Sequence, residues 1–167
     1  MNSQFLFEKL EASQEFIDFK KKYSDAYLCS GFFEISLEEK ALDNRYHFDF
    51  YIPSEKKTFS FELENGVKLV ELERNDEKFL QEVQMDVSFD FDELQELILK
   101  EMENQKINNK VQKMIFSLQT KDKKEVLYGT IFLSGLSLLR LIISLPEKTI
   151  SEFEKKSFFD MMKIIKK

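Results

Sequence analysis

Residues 126–145 read VLYGTIFLSGLSLLRLIISL, and the way this run folds decides the architecture of the whole chain. Twenty residues with one charge, Arg140, match the length of a membrane-spanning helix. Three features favour a pair of strands instead. An arginine in the inner third of a span costs about 2.5–3.5 kcal/mol on insertion scales. Gly129 and Ser134-Gly135 interrupt the run where a bulge or a turn would fall. The residues also favour strands, and a strand pair buried on both faces reads as continuous apolar sequence. The expectation is a hairpin with strands at about Glu125–Leu133 and Leu136–Leu145.

Working outward, Val111–Gln119 alternates with Met114, Phe116 and Leu118 on one side and predicts a third strand. Before it, Asp90 and Glu93 form a capping-box signature ahead of the helical stripe Phe91, Leu94, Leu97, Ile98 and Met102, which ends at Asn104–Asn109. After the hairpin, Thr149 and Glu152 repeat that signature. They predict a terminal helix with the stripe Ile150, Phe153, Ser157, Met161 and Ile164, flanked by Phe158 and Ile165.

The first half shows the same kind of order. Leu6, Leu10, Ser13 and Ile17 form a helical stripe widened by Phe5, Phe16 and Phe19, and Lys20-Lys21-Lys22 suits the end favoured by the helix dipole. Tyr27, Cys29, Gly31, Phe33 and Ile35 then alternate as a strand. A polar connection at Glu38–Asn44 leads to a cleaner alternation, with Tyr46, Phe48, Phe50 and Ile52 on one side and Arg45, His47, Asp49 and Tyr51 on the other. Pro53–Lys57 is a turn, and Phe59, Phe61 and Leu63 begin a hairpin closed by Asn65-Gly66. A two-residue type I′ loop there pairs Glu64 with Val67, Phe61 with Val70 and Phe59 with Leu72. Arg74–Val83 reads as a charged helical turn and Gln84–Phe89 as extended.

The 167 residues and 20.0 kDa suit one domain or two small halves sharing a core. A net charge of −6 is the wrong sign for a general nucleic-acid binder. One cysteine excludes an internal disulfide, and one histidine excludes a zinc site built from several Cys and His ligands. The amino terminus lacks a basic n-region, and Glu8 breaks its apolar stretch, which argues against a secretory signal and, with the lone thiol, for a cytoplasmic protein. No phosphate-cradling Gly-rich loop, nucleophile elbow, His-Glu-x-x-His or Cys-x-x-Cys pattern occurs.

The candidate chemistry is thin. His47, with Asp49 and Arg45 beside it on one strand face, lacks a nucleophile for acid–base catalysis, and a charged surface face explains all three. Cys29 beside Gly31 reads as a buried, inert thiol. Asp86, Asp90, Asp92 and Glu93 lack the spacing and glycine of an EF-hand loop, and helix capping accounts for the last three. Residues 62–103 hold fourteen acids and four bases, which would steer a basic partner or simply form a solvated side. Eighteen Phe and six Met without Trp provide for a core, with any surplus left as a groove or a self-association face.

Residues 47–66, HFDFYIPSEKKTFSFELENG, resemble the strand–turn–strand–turn signature of PepSY-like domains. The second half is similar, with a helix at Asp90–Glu103, then KVQKMIFSLQ at 110–119, a charged turn and Leu127–Ile143. Tandem arrangements ending in a segment like Ser157–Met162 occur in small archaeal proteins of unknown role. The resemblance covers about Ser24 to Leu145. It implies a domain that binds or restrains proteins, peptidases among them, rather than one that catalyses.

Together these readings predict an α+β protein in which two helix-plus-antiparallel-meander halves (PepSY-like or cystatin-like), residues 1–85 and 86–167, are fused into one compact unit with an added C-terminal helix. The expected role is a non-enzymatic protein- or peptide-binding module whose candidate face carries Arg45, His47, Asp49 and Tyr51, with no cofactor and no metal. No nucleic-acid or membrane partner is expected, and an open edge strand is a route to a homodimer. The alternative is a small-molecule or lipid carrier with an aromatic-lined cavity between helices and sheet.

Overall fold

The computed structural model describes residues 1–38, 44–73 and 81–165, with the backbone alone at 161 and 163–165. Its elements in chain order are α1 (Ser3–Glu11), α2 (Gln14–Lys22), β1 (Tyr27–Ser36), β2 (Arg45–Ile52), β3 (Lys57–Glu62), β4 (Lys68–Leu72), α3 (Phe91–Asn104), β5 (Val111–Lys121), β6 (Lys124–Leu133), β7 (Ser137–Ser144), β8 (Thr149–Ser157) and α4 (Phe158–Ile165). All eight strands join in one antiparallel sheet of order β4-β3-β2-β1-β5-β6-β7-β8. The α+β class with an antiparallel sheet is therefore as expected. β1 and β5 are neighbours at the centre, and a meander runs outward from each.

Residues 126–145 fold as the strands β6 and β7, paired from Val126–Ser144 to Leu133–Ser137. No helix among the described residues is long and apolar enough to cross a membrane. The inward residues Leu127, Ile131, Leu133, Leu139, Leu141 and Ile143 are buried. On the outward side Val126 and Leu138 are buried, but Tyr128, Thr130, Phe132 and Ile142 are half-buried and Arg140 is exposed, so burial on both faces holds only in part.

Helices α1, α2 and α3 cover one face of the sheet. Phe7 of α1 stacks on Phe48 at 4.5 Å, Phe16 and Phe19 of α2 pack edge-on against Phe61, and Phe91 of α3 meets Phe33. Leu94, Ile98 and Met102 continue the α3 stripe into the same apolar cluster as Met114, Phe116 and Leu139. Asp90 caps α3 as predicted, its Oδ1 accepting from the N–H groups of Asp92 and Glu93. The Glu93 side chain approaches Lys148 at 3.9 Å.

Four expectations are corrected. The first helix is two helices, because Ser13 serves as the N-cap of α2, accepting from the N–H of Phe16, and Ile17 is exposed instead of lining a stripe. In β1 a bulge between Leu28 and Ser30 breaks the alternation, so Tyr27 pairs across from Tyr51 on the face opposite Phe33. The β3–β4 hairpin has Phe61 opposite Leu69 and Thr58 opposite Leu72, one residue off the expected register. The connection runs over residues 63–67 with Gly66 at φ 77°, and the slip sends Val70 and Leu72 to the other face.

The last correction concerns Thr149–Ser157, which forms an eighth strand, with only α4 helical after it. Ile150 opposes Ile143 and Glu152 opposes Ile142, so Ser151 is an inserted bulge residue. The bulge places Ile150 and Phe153 three positions apart on one face, which mimics helical spacing. Segment 84–89, expected to be extended, has a turn at Met85-Asp86 and belongs to no strand. The connection at 39–43, most of the expected helical turn at 74–80 and the side chains of Met161, Ile164 and Ile165 lie outside the described residues.

Candidate functional site

Strand pairing builds a continuous surface on the face away from α1, α2 and α3. One row runs Lys68, Glu62, His47, Phe32, Ser117, Tyr128, Ile142 and Glu152, each directly opposite the next across the eight strands. The next row runs Arg45, Glu34, Ile115, Thr130, Arg140 and Glu154. Phe32, Ile115, Tyr128 and Ile142 are half-buried here, with no α1–α3 side chain above them to account for their apolar character, whereas Phe132 is stacked by Phe158 of α4.

Arg45, His47, Asp49 and Tyr51 all lie on this face, as the alternation of β2 requires, but their settings differ. Arg45 is exposed opposite Glu34, whose carboxylate pairs with Lys113 at 2.8 Å. His47 contacts Glu64 through Nε2, and its ring lies 5.8 Å from that of Phe32. Asp49 is buried, contrary to a solvated charge, because Ser30 Oγ donates to its Oδ2 at 3.0 Å from the facing strand. Tyr51 meets the Tyr27 ring edge-on at 5.8 Å, and burial first, with Cys29 and Tyr51 adding, pushes the Tyr27 hydroxyl above its ordinary pKa. Cys29 is buried at the β1 bulge and reaches the Asp49 carbonyl oxygen at 3.3 Å.

Concavities among the described residues shape this face. A groove of about 690 Å³ crosses β6, β7 and β8 between Tyr128, Thr130, Arg140, Ile142, Glu152 and Glu154, and a smaller one of about 270 Å³ lies beside Lys113, Ile115 and Phe132. On the covered side, a cleft of about 160 Å³ separates α3 from the end of β7, between Leu94, Leu97, Ile143 and Leu145. His47, Glu62 and Glu64 bring ligand atoms within 4.8 Å of one another, a mixed set that an argument from Cys and His counts overlooks. Glu64 already accepts from the Tyr46 N–H at 3.2 Å. Of the acidic residues 86–93, Asp90 is used as a cap and Asp92 binds the Met1 ammonium at 2.9 Å. Partial desolvation works against the Asp90 charge, but the Glu93 and Asp92 N–H groups hold its carboxyl below the usual range.

Sequence reasoning singled out β2 and missed Phe32, Ile115, Tyr128, Thr130, Arg140 and Ile142. The signal was present for β6 and β7, where Tyr128, Thr130 and Arg140 fall on one alternation phase.

No family model and no curated protein matches the chain. Among solved structures the fold is similar to that of a protein from Clostridium difficile 630 described as a "putative lipoprotein", with a TM-score of 0.54 and 16% sequence identity, over 85% of this chain and 90% of that one.

Proposed function

We propose that the chain is a non-enzymatic binding module that engages a protein or peptide through the sheet face not covered by α1–α3. The observation that carries this reading is the apolar content of that face: Phe32, Ile115, Tyr128 and Ile142 sit among polar neighbours in rows that cross from one meander to the other. The groove over β6–β8 supplies relief for a side chain or strand of the partner, with Arg140 as a polar contact in it and His47 and Arg45 as polar contacts farther along the face on β2. In this reading the chain comprises two helix-plus-meander halves, 1–85 and 86–167, of PepSY-like type, meeting at the β1–β5 pair. We further propose a cytoplasmic location, in keeping with the single thiol at Cys29.

The test is affinity capture from the native host with wild-type protein and a Phe32→Ser, Tyr128→Ser double variant. A partner retained by the wild type and lost by the variant, with unchanged thermal unfolding, supports the reading. Equal retention by both excludes this face. A carrier role ranks second and rests on the cleft beneath α3, whose 160 Å³ falls short of the roughly 300 Å³ of ordinary ligand pockets. Failure of fatty-acid probes to shift the unfolding temperature removes it.

A further inference from the structure

Three of the exposed large apolar side chains belong to one end of the sheet. Leu136 is 61% exposed in the β6–β7 turn, and Phe159 and Met162 of α4 are 65% and 53% exposed. The elements are joined directly, since the Phe158 N–H donates to the Leu136 carbonyl oxygen at 3.0 Å. Phe158 itself turns inward and stacks on Phe132, so the helix is anchored through one ring while its neighbours project into solvent. Leu136 has φ 53°, in the left-handed region where asparagine and glycine are favoured over leucine. A large apolar side chain is thus held outward on a conformation that local energetics disfavours, a pattern associated with function more than with packing.

The sequence leading through α4 is opposite in charge to the chain: residues 155–167 include five lysines and one aspartate within a net charge of −6, and Lys155 and Lys156 lie at the end of β8. Lys110 abuts the turn, its backbone exchanging hydrogen bonds with Ser134 at 2.8 and 2.9 Å, and Lys155 reaches Asn109 at 3.0 Å. The nearby carboxylates are Asp160 and Glu154, the latter 3.7 Å from Lys156. Projecting apolar side chains beside a lysine-rich stretch of sequence match the chemistry of an anionic lipid surface, where the apolar groups enter the headgroup boundary and the ammonium groups stay with the phosphates.

We propose that the Ser134–Leu136 turn and α4 form a peripheral docking surface for an anionic membrane, without spanning it. This site adjoins the outward face at Phe132 but uses none of Phe32, His47 and Tyr128, so the protein-binding reading can fail without affecting it.

The experiment is co-sedimentation of the full chain with vesicles of phosphatidylcholine alone and of phosphatidylcholine with phosphatidylserine. Partition is expected onto the mixed vesicles only, weakening as salt is raised. Leu136→Asn retains a residue suited to positive φ, so the turn survives while the apolar group is lost. Combined with Phe159→Ser, it is expected to reduce partition about tenfold or more. Lys155→Gln and Lys156→Gln are each expected to reduce it about fivefold. The proposal is overturned if the chain ignores the mixed vesicles, binds neutral ones equally, or binds undiminished in the Leu136→Asn, Phe159→Ser variant with its unfolding temperature preserved. Self-association that this variant abolishes, without vesicle binding, assigns the patch to a second copy and also overturns it.

Discussion

Gly129 on β6 stands directly opposite Leu141 on β7, and the leucine fills the space that a Cβ would take. A methyl group added there would lie 2.7 Å from Leu141 Cδ1 and 3.3 Å from Phe116 Cε1. The glycine answers a packing need within an ordinary strand. Gly129→Ala is expected to cost about 1–3 kcal/mol through overpacking, read as a lower denaturant midpoint at unchanged slope. An unchanged midpoint would mean that Leu141 finds another rotamer at no cost.

Phe61 lies at the heart of the aromatic cluster in the first meander, fully buried, with the rings of Phe16, Phe19 and Phe50 at 5.6, 5.1 and 5.5 Å. Phe61→Ala is expected to lose about 3–5 kcal/mol, a large part of a typical domain's stability. Phe59→Ala, at a half-buried position on the same strand, should lose clearly less. Equilibrium urea unfolding of both variants distinguishes the two sites.

Asp25 accepts hydrogen bonds from the Ser54 backbone N–H at 2.8 Å and its hydroxyl at 3.0 Å, tying the start of β1 to the β2–β3 turn. Those bonds, the backbone one foremost, hold the Asp25 carboxyl below its ordinary value of 3.8. A carboxyl lowered on folding adds stability above its unfolded pKa and loses it as pH falls through the folded one. Ser54→Ala should therefore raise the Asp25 midpoint in an NMR titration and flatten the acid limb of the stability profile below about pH 4, a region set by the unperturbed carboxyl. Coincident titrations of wild type and variant would show that the hydroxyl contributes nothing.

The β5–β6 turn places Asp122 and Lys123 at φ 51° and 65°, as a two-residue type I′ hairpin requires. Asparagine or aspartate followed by glycine is the preferred pair. Lys123→Gly removes left-handed strain of about 1–2 kcal/mol, offset by about 0.4–1 kcal/mol of added freedom in the unfolded chain. The net gain, about 0.5 kcal/mol, should appear as a small rise in thermal midpoint, whereas a fall would show that the lysine side chain makes a compensating contact.

Alternation made much of the fold readable in advance. Arg45–Ile52 and Val111–Gln119 display two faces of unlike polarity, so their phase could be assigned without a partner. Irregularities defeated the rest. The inserted Ser151 gave β8 the spacing of a helix, Ser13 stayed in phase with a helical stripe that it interrupts, and the left-handed Gly66 shifted the hairpin register by one position. The candidate face was legible only along β2. Its rows depend on β1 pairing with β5, a neighbour remote in sequence, and local pattern carries no information about that choice.

Among the described residues, the β1–β5 pair is the one sheet contact between strands that are not consecutive in the chain. Six of the seven ladders close over short loops or single connections, so each meander can assemble early and at little entropic cost. The barrier to folding then lies in zipping Phe33 against Phe116 across the centre. Substitutions at these two positions should slow refolding, while those at the outer β3–β4 hairpin should chiefly accelerate unfolding, so that the middle of the sheet sets the rate and its margins set the lifetime.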